Sequence, residues 1–144
     1  MTAKEFLKQY EYADRRARHF RELYEEQQEK IDAIGSTLAG DGLPHATGVS
    51  RKTEDKAIRL SEAALAWKEA ELDALMIRGE VFAIIEDVPG TEGKILYQRY
   101  IKLMPWEKIC VAINYTWSST HRAHRRALAI VQERLDKLTF KDTK

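Results

Sequence analysis

From Ala3 to Gly35 no proline and no internal glycine interrupts the chain. Apolar side chains fall at Phe6, Tyr10, Ala13, Ala17, Phe20, Tyr24, Ile31 and Ile34, with polar Gln27 in the remaining slot. The steps alternate four and three, the heptad period of a helix that lays one narrow stripe against another helix. A second long helix is predicted over Thr53 to Glu86, capped by Thr53, with Lys56 where a capping box would place Glu. Its stripe is read as Ile58, Leu65, Leu72, Leu75 and Phe82, widened by Leu60, Ala64, Trp67, Val81 and Ile85. Gly79 lies inside this helix and costs it about 1 kcal/mol relative to alanine. Gly35 marks the expected stop of the first helix, and Gly40, Gly42, Pro44 and Gly48 lie in a loop over Ser36 to Lys52. A loop of 17 residues closes at little extra entropy, so the two helices are expected to fold back as an antiparallel hairpin.

Beyond Val88-Pro89-Gly90 the pattern predicts a helix over Thr91 to Met104, with Ile95, Leu96, Tyr100 and Leu103 apolar, ended by Pro105. A short helix over Trp106 to Ile113 follows, with Ile109, Cys110 and Ile113 inward. Asn114-Tyr115 is the expected turn, because Asn tolerates the left-handed conformation at helix ends. Thr116 caps a last helix running to about Leu138, with Thr139 to Lys144 as a frayed tail. The fold class is therefore all-α. Residues 1–88 form an association or partner-binding hairpin, and residues 89–144 form a helix-turn-helix unit.

Composition changes this picture little overall and more locally. The 24 Lys and Arg nearly cancel the 23 Asp and Glu, so net charge is silent on nucleic acid. From Trp117 to Lys144, however, seven Lys/Arg face three Asp/Glu, with His121 and His124 beside them. A local patch is what attracts a polyanion, because salt screens charges beyond about 8–10 Å. The single cysteine, Cys110, excludes an internal disulfide and a cysteine-based zinc cluster, and points to the cytoplasm. No window approaches 18 apolar residues, so no membrane span is expected.

The segments Leu96-Tyr97-Gln98-Arg99-Tyr100-Ile101, Trp106-Glu107-Lys108-Ile109, Asn114-Tyr115-Thr116 and Arg122, His124 and Arg126-Ala127-Leu128 resemble the C-terminal half of phage late transcriptional regulators of the ArpU/RinA type. That half is similar to region 4 of sigma factors, the helix-turn-helix that reads promoter −35 elements. The resemblance covers about 45 residues and implies a prophage-encoded, sequence-specific activator of late genes in a bacterial host. The chain differs from region 4 at Thr120 and Ala123, where aliphatic side chains are usual, at Asn114, where glycine is usual, and at Trp117, where arginine is frequent.

In such a motif the first turns of the last helix face base edges. Trp117, Ser118, Ser119 and Arg122 are the candidate base-facing residues, Arg125 and Arg126 the candidate phosphate contacts, and His121 completes the DNA-binding set. The competing reading is a solvated helix face. His121 and His124, three apart, lack an obvious third ligand, so packing or phosphate contact is preferred to metal. Cys110 is read as a small core hydrophobe, and Trp67 and Trp106 as core. Arg15, Arg16, Arg18 and Arg21 are interleaved with acids and read as a salt-bridged, solvated face. Arg51-Lys52 is either an anion contact or part of a mobile connector. No catalytic constellation, metal site or cofactor site is predicted.

The expected partners are double-stranded DNA, RNA polymerase and a second copy of the chain, the last because Leu7, Leu23, Leu38, Leu60 and Trp67 call for cover. Two other readings stand beside the regulator. One is a sigma-like module that binds polymerase or another regulator. The other is a small terminase-like DNA-packaging protein.

Overall fold

The computed structural model describes the backbone of residues 1–41 and 47–143, and side chains within 1–33 and 51–143. These residues are helical, with no strand among them. Five α-helices follow in order: α1 (Ala3–Asp41), α2 (Thr47–Glu86), α3 (Gly90–Leu96), α4 (Trp106–Ile113) and α5 (Trp117–Asp142), with a π-turn over Tyr97–Ile101 continuing α3.

The seam of α1 forms as the heptad spacing requires: Phe6, Tyr10, Ala13, Ala17, Phe20, Tyr24, Gln27 and Ile31 are all buried or half-buried. Ile34 lies outside the described side chains. Leu7 packs with Val81 and Ile85, and Tyr24 lies 5.4 Å from Trp67 between ring centroids. Moving up α1 thus moves down α2, the antiparallel hairpin that the pattern predicts.

Of the stripe expected on α2, the widening positions Leu60, Ala64, Trp67, Val81 and Ile85 are buried or half-buried, and the leading positions are not. Ile58, Leu65, Leu72 and Leu75 are each more than half exposed, and Phe82 is 37% exposed. The covered positions include Leu60, Ala63, Trp67, Ala70, Ala74, Ile77, Val81 and Ile84. Their steps alternate three and four without a break, as they do along α1. Its middle is alanine. Small side chains let two helix backbones approach closely, and bulky leucines at those places would hold them apart.

Both helices are longer than expected. Backbone hydrogen bonding carries α1 through Gly35 and Gly40 to Asp41, and α2 starts at Thr47, so Thr53 is an interior residue and not a cap. The propensity cost of a glycine, about 1 kcal/mol, is small beside what a helix of 39 residues gains. Arg51 and Lys52 accordingly sit on α2, exposed, and the part of the expected loop at residues 42–46 lies outside the described residues.

By contacts the chain divides into two compact units, one of residues 1–13 with 74–144 and one of residues 14–73. This division by contacts cuts across the hairpin, whereas the sequence reading divides the chain at residue 88. The reason lies in the core of the first unit. Ala3 and Leu7 of α1, Val81 and Ile85 at the end of α2, Val88 just beyond it, and Leu96, Tyr100, Ala127 and Val131 further along are buried together. The Ala3 N–H donates to Gln132 Oε1 at 2.8 Å, tying the first turn of α1 to α5. In the second unit Ala17 and Ala70 are buried, and Arg18–Asp14 and Arg21–Glu25 pair at 3.0 and 3.1 Å along the solvent face of α1. That is the salt-bridged surface read from the sequence.

Leu7 is thus covered by its own chain, Leu60 and Trp67 are half-buried, Leu23 stays 37% exposed, and Leu38 lies outside the described side chains. No helix among the described residues is long and apolar enough to cross a membrane.

Candidate nucleic-acid interface

Three turns of backbone shape the last three helices. The helix expected over Thr91 to Met104 breaks earlier, at Leu96, into the π-turn, and Leu103 then adopts φ 56°. Pro105 closes this bend. It has no N–H to continue a helix, and its carbonyl accepts from Lys108 and Ile109 N–H at 3.1 and 3.2 Å, starting α4. Arg99 supports the bend from inside. It donates to the Met104 carbonyl at 3.0 Å, and its guanidinium lies 4.9 Å from the Trp106 ring.

The joint between α4 and α5 follows the sequence closely. Asn114 takes the left-handed conformation, φ 56° and ψ 43°, and Asn114 and Tyr115 N–H bond back to the carbonyls of Val111 and Cys110. Thr116 is extended, and its Oγ1 accepts from Ser119 N–H at 3.2 Å while donating to Ser119 Oγ at 2.9 Å. The last helix runs on to Asp142, through most of the tail expected to fray.

Helix α5 has two unlike faces. Thr120, Ala123, His124, Ala127 and Val131 are buried against the other helices. Thr120 fits where an aliphatic residue would be usual because its hydroxyl donates to the Thr116 carbonyl at 2.8 Å, so no polar atom is left wanting. Ala123 packs with Ile95 and Ile109, beside Trp106 and Ile113. Cys110 is half-buried, at the edge of that packing and not within it.

The opposite face holds most of the predicted site residues. Ser118, Arg122 and Arg125 are exposed at helical spacing i, i+4, i+7, and Trp117 is 53% exposed. Ser119 is half-buried through its place in the cap. Arg126 is exposed but engaged: its guanidinium meets Glu92 of α3 at 3.1 Å. The Glu92 carboxyl sits below the usual carboxylate range, held first by its own backbone N–H and then by Arg126. An open depression of about 430 Å³ lies between turn and helix, lined by Asn114, Tyr115, Thr116, Ser119, Arg122 and Arg126. The two arginines give it a cationic rim.

His121 stands apart from this face. Its ring lies between Trp106 and Trp117, 4.7 and 4.5 Å from their centroids, and its Nε2 is buried with no hydrogen-bond partner. His124 is buried deeper. Its Nε2 lies 2.8 Å from the Tyr100 hydroxyl, and its ring packs against Tyr100 and edge-on to Trp106. Burial, helped by the nearby charges of His121, Lys4 and Arg99, pushes the His124 pKa down to about 4, and burial raises Tyr100 to about 12. Both groups are neutral near pH 7, so their bond is one between uncharged partners.

Sequence reasoning missed the part played by Glu92. It lies 34 residues from Arg126, and only the packing of α3 on α5 brings them together. The lining by Asn114, Tyr115 and Thr116 was within reach, since a left-handed turn before a capped helix faces its backbone outward at the cap. No family model matches the chain, and no curated protein or solved structure matches it.

Proposed function

We propose that the protein binds double-stranded DNA sequence-specifically and regulates transcription in a bacterial cytoplasm, as an activator of phage or prophage late genes. The observation that carries this reading is the division of α5. One face is buried by α3 and α4, and the other presents Ser118, Arg122 and Arg125 to solvent from the first turns after a capped helix start. A helix anchored in this way, projecting arginine and hydroxyl groups, suits the major groove, where Arg bonds guanine bidentately and Ser serves several bases. The resemblance to sigma region 4 supports the same placement, and it supplies the late-gene and phage assignment on its own. Under this reading Trp117 lies at the groove edge, and His121 acts indirectly, by holding Trp117 in place.

The test is selection of bound duplexes from a randomised pool, followed by mobility shifts at two salt concentrations. Arg122→Ala should weaken the selected duplex by about 1–3 kcal/mol and relax preference at one base pair. Arg125→Ala should weaken all duplexes alike and lower the salt slope by about one. Failure of the wild-type protein to bind any duplex at low salt would sink the proposal.

A second reading has its own observation. Val111 is 81% exposed, Tyr115 41% and Trp117 53%, an apolar group around the joint of α4 and α5. Such side chains suit a protein surface better than a phosphate backbone. In this reading the unit docks on RNA polymerase or another regulator, and Val111→Glu abolishes that docking while leaving any DNA shift intact. A terminase-like packaging role would require a ring of many subunits, which its mass in solution distinguishes.

A further inference from the structure

The exposed arginines of α5 are not equivalent. From Trp117 to Gln132 the helix carries no acid of its own, and among the described residues no acid pairs with Arg122 or Arg125. Arg126 is engaged, through its Nε to Glu92 Oε1 at 3.1 Å. The two partners differ in freedom. Glu92 is the third residue of α3, where a helix start favours negative charge, and its carboxylate also accepts from its own backbone N–H. Its side chain is 24% exposed, against 60% for that of Arg126. The carboxylate is therefore fixed to the framework, and the guanidinium on its long stem is the part free to leave. That guanidinium shares with Arg122 the rim of the depression beside Thr116 and Ser119.

We propose that Glu92 is an internal stand-in for a DNA phosphate, holding Arg126 in the free protein and giving it up to the duplex backbone on binding. On the DNA reading, on which this inference rests, the exchange runs toward the duplex. An exposed ion pair is a weak hold, whereas a guanidinium and a phosphate form a forked, charge-assisted pair. Glu92 is then left uncompensated beside a polyanion, which weakens binding to every sequence alike. The exchange also mutes the salt dependence. The counterion that the phosphate releases is offset by the cation that Glu92 takes on, so Arg126 adds little to the slope while Glu92 is present.

The experiment compares mobility shifts of wild type, Glu92→Gln, Arg126→Ala and the double variant on one duplex of mixed sequence over a series of salt concentrations. A mixed sequence suffices, because phosphate contacts carry no sequence information. Glutamine has the shape of glutamate and still accepts from the N–H of its own residue, so circular dichroism should show unchanged helicity. Glu92→Gln should tighten binding by about two- to fivefold, the range set by an exposed ion pair, and steepen the salt slope by about one. In the Arg126→Ala background the same change should do neither. Unchanged or weaker binding by Glu92→Gln would overturn the proposal, since Glu92 would then be idle or would serve to aim Arg126. A gain that persists without Arg126 would overturn it too, by assigning the effect to diffuse charge. Should Glu92→Gln lose helicity, Glu92→Asp carries the same comparison with a smaller expected gain, because it keeps an acid at the helix start and withdraws the carboxylate by one methylene. A wild type that binds no duplex at low salt removes the DNA reading and this inference with it. A wild type that binds while Glu92→Gln gains nothing removes this inference alone.

Discussion

Two glycines in the same compact unit should answer the same substitution with opposite signs. Gly79 lies in α2 with nothing within 4 Å of where a Cβ would stand. Gly93 lies in α3, where a Cβ would fall 2.1 Å from the Val88 carbonyl oxygen and 3.1 Å from its carbon. Carbon and oxygen ordinarily meet no closer than about 3.3 Å, so Gly93→Ala demands roughly 1.2 Å of movement. The obstacle is backbone, and Val88 is itself fixed in the core at 5% exposure, so no side chain can swing aside. Overpacking of this kind costs about 1–3 kcal/mol, against a helix-propensity gain of at most about 1 kcal/mol. Gly79→Ala keeps the gain without the clash and should stabilise by about 0.5–1 kcal/mol. Urea titrations followed by far-ultraviolet circular dichroism, at one fixed protein concentration, give both values from midpoints at constant slope. A Gly93→Ala protein as stable as wild type, or two variants shifted in the same direction, would refute the reasoning about the Val88 contact.

Acid should weaken the first unit through His124. Its folded pKa of about 4 lies below the usual 6.5, so between those values the unfolded chain takes up a proton that the folded chain refuses. Stability then falls as pH drops through that window, by at most about 1.4 kcal/mol per pH unit from this one group. Denaturation midpoints at pH 7.5, 6 and 4.5 in wild type and His124→Phe check this, and the variant should have the shallower dependence. Thr116→Ala removes the hydroxyl that accepts from Ser119 N–H, and should cost about 1 kcal/mol in the same titrations while leaving Asn114 in its left-handed turn.

What could be read from the chain depended on whether the signal was local. The α1 seam, the left-handed Asn114, the Thr116 cap and the two-faced α5 all rest on spacings of a few residues, and each stands where expected. On α2 the covered Leu60, Ala64, Trp67, Val81 and Ile85 belong to the expected stripe, but its leading members face water, because side-chain size does not decide which face packs. Ile58, Leu65 and Leu72 outweigh Ala63, Ala70 and Ala74 on any scale, yet close helix packing selects the alanines. The helix limits at Gly35 and Thr53 failed for a related reason: a glycine or a threonine biases one position, and a long helix overrides it. The π-turn and the Glu92–Arg126 pair depend on tertiary packing that no window of sequence contains.

The bond between Ala3 and Gln132 joins residues 129 apart, and it belongs to the core that supports the last helix. This unit therefore closes only when α5 meets the first turn of α1, and it stays open while the chain has been made no further than α4. A proteolytic clip that removed the first dozen residues would leave every exposed arginine of α5 in place. It would also strip Leu7 from Val131 and its neighbours, loosening the floor on which α5 rests. Intactness of the first turn of α1 is thus a condition on α5, and a fragment beginning at Gly90 would carry that helix without its foundation.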